Sequence, residues 1–264
     1  MTNLIAGGCS FTLGNELSDD KDGKTPSRKT WAYNLYLQSK CQGDYVCTAK
    51  GGIGNSGIAR RTFQGVSANK TGAVVVMWSF LSRYDWAMPR HKVLENTRWA
   101  SISPWDTNAG QEEAFRTLAG SETAQEEWRT RQEDFIGSGV RPFAESIYKH
   151  AANDYHETYL SWKSIIWLQN ILEKKKIPFM FTLADNSLFW NEMEEKKNTD
   201  QLLGDLYKEI DFTKWFFFGE RNMGFNQWTI LNEYERATTH PLDKSHKDAT
   251  ILMLDKFKKL IGGI

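Results

Sequence analysis

The stretch Asn3-Leu4-Ile5-Ala6-Gly7-Gly8-Cys9-Ser10-Phe11-Thr12-Leu13-Gly14 decides how the rest of this chain is read. Asn3–Ala6 reads as a short apolar strand that runs straight into a Gly-Gly-Cys-Ser turn. A serine on such a turn sits at the strand end with its hydroxyl exposed and its backbone N–H pointing inward. That geometry serves a nucleophile, because the same turn offers a donor to a developing oxyanion. It equally describes a glycine-rich strand-to-helix loop with a capping serine, or a phosphate cradle. The stretch lacks both the GxGxxG spacing of dinucleotide sites and the lysine of the P-loop.

Working outward, Tyr45–Thr48 is a second strand, followed by Gly51-Gly52-Ile53-Gly54-Asn55-Ser56-Gly57. Ala73–Met77 is a continuous, mostly β-branched run, the mark of a strand buried on both faces. Pro178–Leu183 is the next buried strand, and Lys214–Phe218 a last, short one. Helical patterns lie between them. Trp31, Leu35 and Leu37 form one. A helix from Ser56 carries Ile58, Thr62, Phe63 and Val66 on one side. Tyr159 to Leu172 gives a broad apolar stripe, and Ile251, Leu254, Phe257 and Ile261 mark the C-terminal helix. Strands alternating with helices imply a parallel sheet covered on both faces. The expected fold is a three-layer α/β/α sandwich with a flavodoxin-like sheet. Ligands of such sheets bind at the carboxyl ends of the strands. That rule singles out Ser10, Gly52–Asn55, Trp78–Ser79 and the loop before the last helix.

Composition narrows the function. The chain has 264 residues, with 33 Lys plus Arg against 33 Asp plus Glu. Without net charge it has no general pull toward phosphate backbones or anionic lipid, which disfavours nucleic acid and membrane as partners. Three cysteines (Cys9, Cys41 and Cys47) without a CxxC pair point to neither a disulfide framework nor a zinc site. The N-terminus shows no signal-peptide pattern, and the apolar runs are too short for a bilayer span. A soluble cytoplasmic protein is expected. The stretch from about 86 to 155 is polar and tryptophan-rich, with helix-like segments at Gln111–Leu118 and Thr123–Phe135. It reads as a helical insert within a single domain over residues 1–264.

Thr239-His240-Pro241-Leu242-Asp243-Lys244-Ser245-His246 precedes the C-terminal helix. His240, in a loop, is the better base. Asp243 or Ser245 suits the helix N-cap, which leaves His246 in the first turn as a packing residue. Together these segments resemble the SGNH hydrolase superfamily, the GDSL-like esterases and lipases. Its Gly-Asp-Ser block resembles Gly8-Cys9-Ser10 with Thr12 and Gly14 behind it. Its glycine after the second strand resembles Gly52, and its terminal block resembles His240-Pro241 with His246. The likeness is strongest to divergent phage-associated members that carry Gly-Cys-Ser-Phe-Thr. It covers Leu4–Tyr84 and Tyr159–Ile264. It implies a serine esterase or deacylase without cofactor or metal, acting on an acylated carbohydrate or another small ester. Ser10 and His240 are then catalytic, and Gly52 with Asn55 or Ser79 forms the oxyanion hole.

Two departures stand out. No Asn follows the third strand, where Trp78-Ser79-Phe80-Leu81-Ser82-Arg83 stands. Ala237 occupies the position three before His240, where the family has Asp. Three arrangements accommodate this: a Ser–His dyad, Glu235 as the acid, or Asp243 paired with His246. Arg83 and Asp85 follow the third strand, as substrate contacts or a surface ion pair. Trp78, Trp86, Trp99 and Trp105 form an aromatic wall or pack the insert. His91, His150 and His156 show no ligand spacing. The alternative function, in a different class, is a decayed relative that serves as a binding or virion-associated protein, with the 86–155 insert docking its partner.

Overall fold

A computed structural model describes residues 2–88, 99–120, 125–126, 129, 139–190 and 200–261. The central sheet is parallel, with strand order β2-β1-β3-β6. Its strands are β1 (Asn3–Gly7), β2 (Tyr45–Cys47), β3 (Thr71–Trp78) and β6 (Phe179–Leu183). Register aligns Leu4 with Tyr45 and Ala73, and Val76 with Phe181. The expected last strand at Lys214–Phe218 contracts to a single parallel bridge, Phe181 with Trp215. Around it, Phe189 meets Phe212 and Trp215 edge-on and Trp215 stacks on Phe217, and this ring packing replaces an extended ladder.

Helices cover both faces. On one side α3 (Asn55–Ala68) packs on α6 (Asp154–Lys174). On the other, α2 (Trp31–Gln38) packs on α9 (Asp243–Ile261). Local chemistry starts these helices where the sequence places them. Thr30 caps α2 by accepting the Tyr33 N–H, and Asn153 caps α6 by accepting the His156 N–H. Gly7 has no Cβ because the Thr62 hydroxyl of α3 occupies that space, so α3 lies close against the strand that delivers Ser10.

The aromatic load is mainly core. Trp31, Trp78 and Trp162 are fully buried, and Trp162 donates its indole N–H to the Leu188 carbonyl at 3.0 Å. Trp78 meets Phe181 edge-on at 5.3 Å, so it is a core residue and does not stand in a substrate wall.

The stretch expected to be a helical insert is not purely helical. Strands β4 (Tyr84–Ala87) and β5 (Trp99–Ile102) form an antiparallel ladder. Helices α4 (Asn108–Thr117) and α5 (Val140–His150) follow. Tyr84, Ile102 and Ala100 pack with Val140, Ala144 and Ile147 in a second, smaller core. The opposite face of the ladder meets α3, where Arg60 pairs with Asp85 at 2.9 Å and stacks over Trp99. Asp85 is thus an interior partner of Arg60 and not a surface charge. The alternation Tyr84-Asp85-Trp86 is a strand signal, since one face of the ladder meets a helix through apolar rings and the other through a charge pair. His91 and most of Thr123–Phe135 lie outside the described residues. Among the described residues, no helix is long and apolar enough to cross a membrane.

Among the described residues, two shorter α-helices lie between β6 and α9. They are α7 (Gln201–Lys208) and α8 (Phe225–Leu231), and α8 sits beneath the loop that carries His240.

Candidate active site

Four loops meet at the carboxyl ends of β1, β2 and β3 and at the start of α9. The first leaves β1. Gly8 adopts φ 156° with Thr12 where its Cβ would stand, and Ser10 begins the single-turn helix α1 (Ser10–Leu13). Gly14 closes that turn in the left-handed region at φ 91° and donates to the Ser10 carbonyl. The chain then runs through Asn15 to Glu16, itself left-handed at φ 65°, which is rare for a residue with a side chain. This path turns the Glu16 carboxylate back toward the chain's other end.

His240 arrives from the loop ahead of α9. Arg236 and Pro241 form an antiparallel bridge, and the Ala237 N–H donates to the His240 carbonyl at 2.8 Å, so positions 236–241 make a tight turn. Arg236 holds that turn in place. Its guanidinium donates to the Thr229 hydroxyl, the Asn226 side chain and the Thr239 carbonyl.

The Ser10 hydroxyl lies 2.7 Å from His240 Nε2, and His240 Nδ1 lies 2.6 Å from Glu16 Oε2. The same carboxylate oxygen accepts the Thr239 N–H and hydroxyl and the His240 N–H. Burial raises the Glu16 pKa, but the hydrogen bond and charge of His240, with the bonds from Thr239, outweigh it and bring it to about 2. Glu16 is therefore ionised at neutral pH and only accepts. Nδ1 must carry the proton, and the Nε2 lone pair faces the Ser10 O–H. The Phe11 ring backs the imidazole edge-on at 4.9 Å.

The serine, histidine and carboxylate thus form one hydrogen-bonded line. Neither Glu235 nor Asp243 is the carboxylate that meets His240. Glu235 is exposed, with its carbonyl accepting the Leu242 N–H. Asp243 accepts from Ser18 and Lys29. His246 is fully buried, accepts the Trp31 N–H at 3.3 Å and packs on Phe225, so it belongs to the core.

The presumed oxyanion donors divide. The Ser10 N–H opens α1, and Gly52 sits left-handed at φ 70° in the loop after β2. That loop is tied to the nucleophile turn by the Lys50 N–H donating to the Gly8 carbonyl. Neither the Ser10 nor the Gly52 N–H has a hydrogen-bond acceptor among the described residues. Asn55 differs. Its amide donates to the Ser79 carbonyl and the Ser161 hydroxyl, while its oxygen accepts the Ser79 N–H at 2.8 Å. Both ends are consumed in clamping β3 to α3 and α6, so it is scaffold in this arrangement. Ser79 is fully buried and its hydroxyl accepts from Arg83. Arg83 stacks over Phe80 at 4.5 Å, two ring contacts from His240 through Phe11. Trp86 is half exposed against Phe143.

Glu16 was hidden from sequence reasoning. It lies among Asp19, Asp20 and Asp22 in a polar loop, and nothing in its spacing marks it.

No family model matches this chain, and no curated protein matches it. Among solved structures, it is similar to a protein of Desulfitobacterium hafniense DCB-2 assigned to the G-D-S-L lipolytic family. That match has 12% identity over 97% of this chain and 99% of the other, with a TM-score of 0.47. It is also similar to the psychrotrophic esterase EstA of a Pseudoalteromonas species, at 9% identity over 99% and 100%, TM-score 0.47. A third is the acetylxylan esterase Axe2 of Geobacillus stearothermophilus, at 13% identity over 99% and 94%, TM-score 0.43.

Proposed function

We propose that this protein is a serine ester hydrolase that removes small acyl groups through a Ser10–His240–Glu16 triad. The observation that carries the reading is the unbroken hydrogen-bonded line from hydroxyl to imidazole to ionised carboxylate. Ser10 Oγ attacks the ester carbonyl and its proton passes to His240 Nε2. The Ser10 and Gly52 N–H groups receive the oxyanion of the tetrahedral intermediate. His240 then protonates the leaving alcohol, and the acyl group stays on Ser10. Water attacks the acyl-enzyme, gives its proton to Nε2, and the acid departs as Ser10 regains its proton. Glu16 holds the Nδ1–H tautomer and stabilises the imidazolium in both halves.

Ser10 is only 7% exposed. A nucleophile seated this deep supports a small acyl group, acetyl first, on a carbohydrate or another small polar alcohol. The alternative of a decayed relative kept for binding in a virion draws less support. Such a protein has no need for an ionised carboxylate, a set tautomer and a hydroxyl in line.

A fluorophosphonate probe tests the reading without knowledge of the substrate. Peptide mass spectrometry is expected to place the label on Ser10 in the wild type and to find none in His240→Ala. A folded wild-type sample that takes no label would sink the hydrolase reading.

A further inference from the structure

We propose that Asp243 is a positioning residue for the acid of the triad: through Ser18 it grips the loop that carries Glu16 and keeps the carboxylate on His240. The inference rests on the triad reading above.

Glu16 occupies the left-handed region at φ 65°, a conformation that a residue with a side chain leaves unless neighbours hold it. Leu17 is buried and pins the middle of the loop, and Asp19 accepts from the Ser27 hydroxyl and the Arg28 N–H further along it. Two further restraints act on the segment from Glu16 to Ser18. The Glu16 N–H donates to Asp20 Oδ2 at 2.8 Å, within the loop itself. The second reaches outside. The Ser18 N–H donates to Asp243 Oδ1 at 3.0 Å and the Ser18 hydroxyl to Asp243 Oδ2 at 2.6 Å. Lys29, at the far end of the same loop, donates to Asp243 Oδ2 at 2.7 Å and also contacts the Ser18 hydroxyl.

Asp243 is well placed as an anchor. It is the first residue of α9, a helix of 19 residues whose Ala249, Met253 and Phe257 are buried in the core. It is also three residues past His240. Glu16, Ser18, Asp243 and His240 therefore close a small ring. One side of the ring is the catalytic contact between carboxylate and imidazole, and the opposite side is the Ser18–Asp243 pair. Because each joint is two or three residues from the other, loosening the second joint lets the Glu16 carboxylate swing away from Nδ1. Bonds from Ser18 and Lys29 offset burial and hold Asp243 at about 2, so the grip stays charged throughout the neutral range.

The experiment uses the full chain with p-nitrophenyl acetate as the probe ester. It compares Ser18→Ala, Asp243→Asn, the double variant and Glu16→Gln. Ser18 is exposed, so Ser18→Ala carries the test even if Asp243→Asn fails to fold. Expected for Ser18→Ala and Asp243→Asn is a fall in kcat of about tenfold to a hundredfold with KM unchanged, the scale of a small displacement of a catalytic group, with Glu16→Gln falling further. The double variant is expected to be no worse than the worse single, as for two halves of one contact. A second readout is the low-field proton resonance of His240 Nδ1–H. It is expected in the wild type and broadened or displaced in Ser18→Ala at unchanged melting temperature. Folded variants with wild-type kcat and an unmoved resonance overturn the inference. If the wild type turns over no ester and takes no label at Ser10, the hydrolase reading fails by itself, and the resonance still decides the clamp: displaced supports it, unmoved overturns it.

Discussion

His240 Nδ1 stands 2.6 Å from Glu16 Oε2, although 224 positions separate the two residues. The carboxylate comes from the same loop as Ser10, six residues further on, and the imidazole comes from the other end of the chain. The site is therefore a two-piece assembly. Ser10 and Glu16 travel together on the turn after β1, and His240 is brought to both by the loop ahead of α9.

Glu16→Gln keeps the size of the side chain and removes the charge that sets the imidazole tautomer. Turnover of p-nitrophenyl acetate is expected to drop roughly 10²- to 10⁴-fold, with residual activity from the Ser10 and Gly52 donors. The carboxylate, raised by burial but brought down to about 2 by His240 and Thr239, lies below its ordinary value of 4.5. Its contribution to stability is thus complete above pH 4.5 and lost as the pH falls toward 2. Urea unfolding of wild type and Glu16→Gln across that window should show the wild-type advantage disappearing.

His246 binds its proton far more weakly than a surface histidine. Burial, then the charge of His240, push it down to about 3 against an ordinary 6.5. Between those values the unfolded chain holds a proton that the folded chain refuses. Stability should therefore fall as the pH drops through that range, by up to about 1.4 kcal/mol per pH unit. His246→Gln, which can still accept the Trp31 N–H, should flatten this limb in denaturant titrations at successive pH values.

Asn55→Ala separates scaffold from catalysis. It strips Ser79 of its N–H acceptor and leaves buried groups unpaired, a loss of about 1–3 kcal/mol per group. The melting temperature is expected to drop markedly, while fluorophosphonate still labels Ser10. A variant of unchanged stability that loses labelling would instead make Asn55 an oxyanion donor.

Glu157 holds the insert ladder to α6 by accepting the Tyr84 hydroxyl at 2.9 Å. Burial pushes its carboxyl upward more than the Tyr84 bond lowers it. With its folded value above the unfolded one, the ionised group opposes folding at neutral pH, and that penalty fades as the pH falls and the carboxyl is protonated. Glu157→Gln should match or exceed wild-type stability at pH 7 and lose that advantage near pH 4, as chemical denaturation at the two values will show.

Much of the layout was legible because it is local. Val74–Val76 can only be a strand buried on both faces, and Asn3–Gly8 breaks from strand into turn within six residues. His240 precedes a proline ahead of the helix start, whereas His246 falls in the first turn of that helix, which is why the two histidines separate by pattern alone. The stripe itself is shifted, with Ile251 exposed and Met253 buried. The remaining features are long-range. Glu16 is one acidic residue in a run of them, and its role follows from a left-handed backbone and from a partner at the far end of the chain. Asn55 reads as a donor beside Gly52 until Ser79 and Ser161 arrive from β3 and α6 and take up its amide. The β4–β5 ladder is short and begins a stretch whose overall composition is polar, and Asp85 reads as a surface charge until Arg60 of α3 covers it. Periodicity reports which face of an element meets the core, but a carboxylate, an amide or an indole acquires its task from the groups that packing places within about 3 Å of it, the reach of a hydrogen bond.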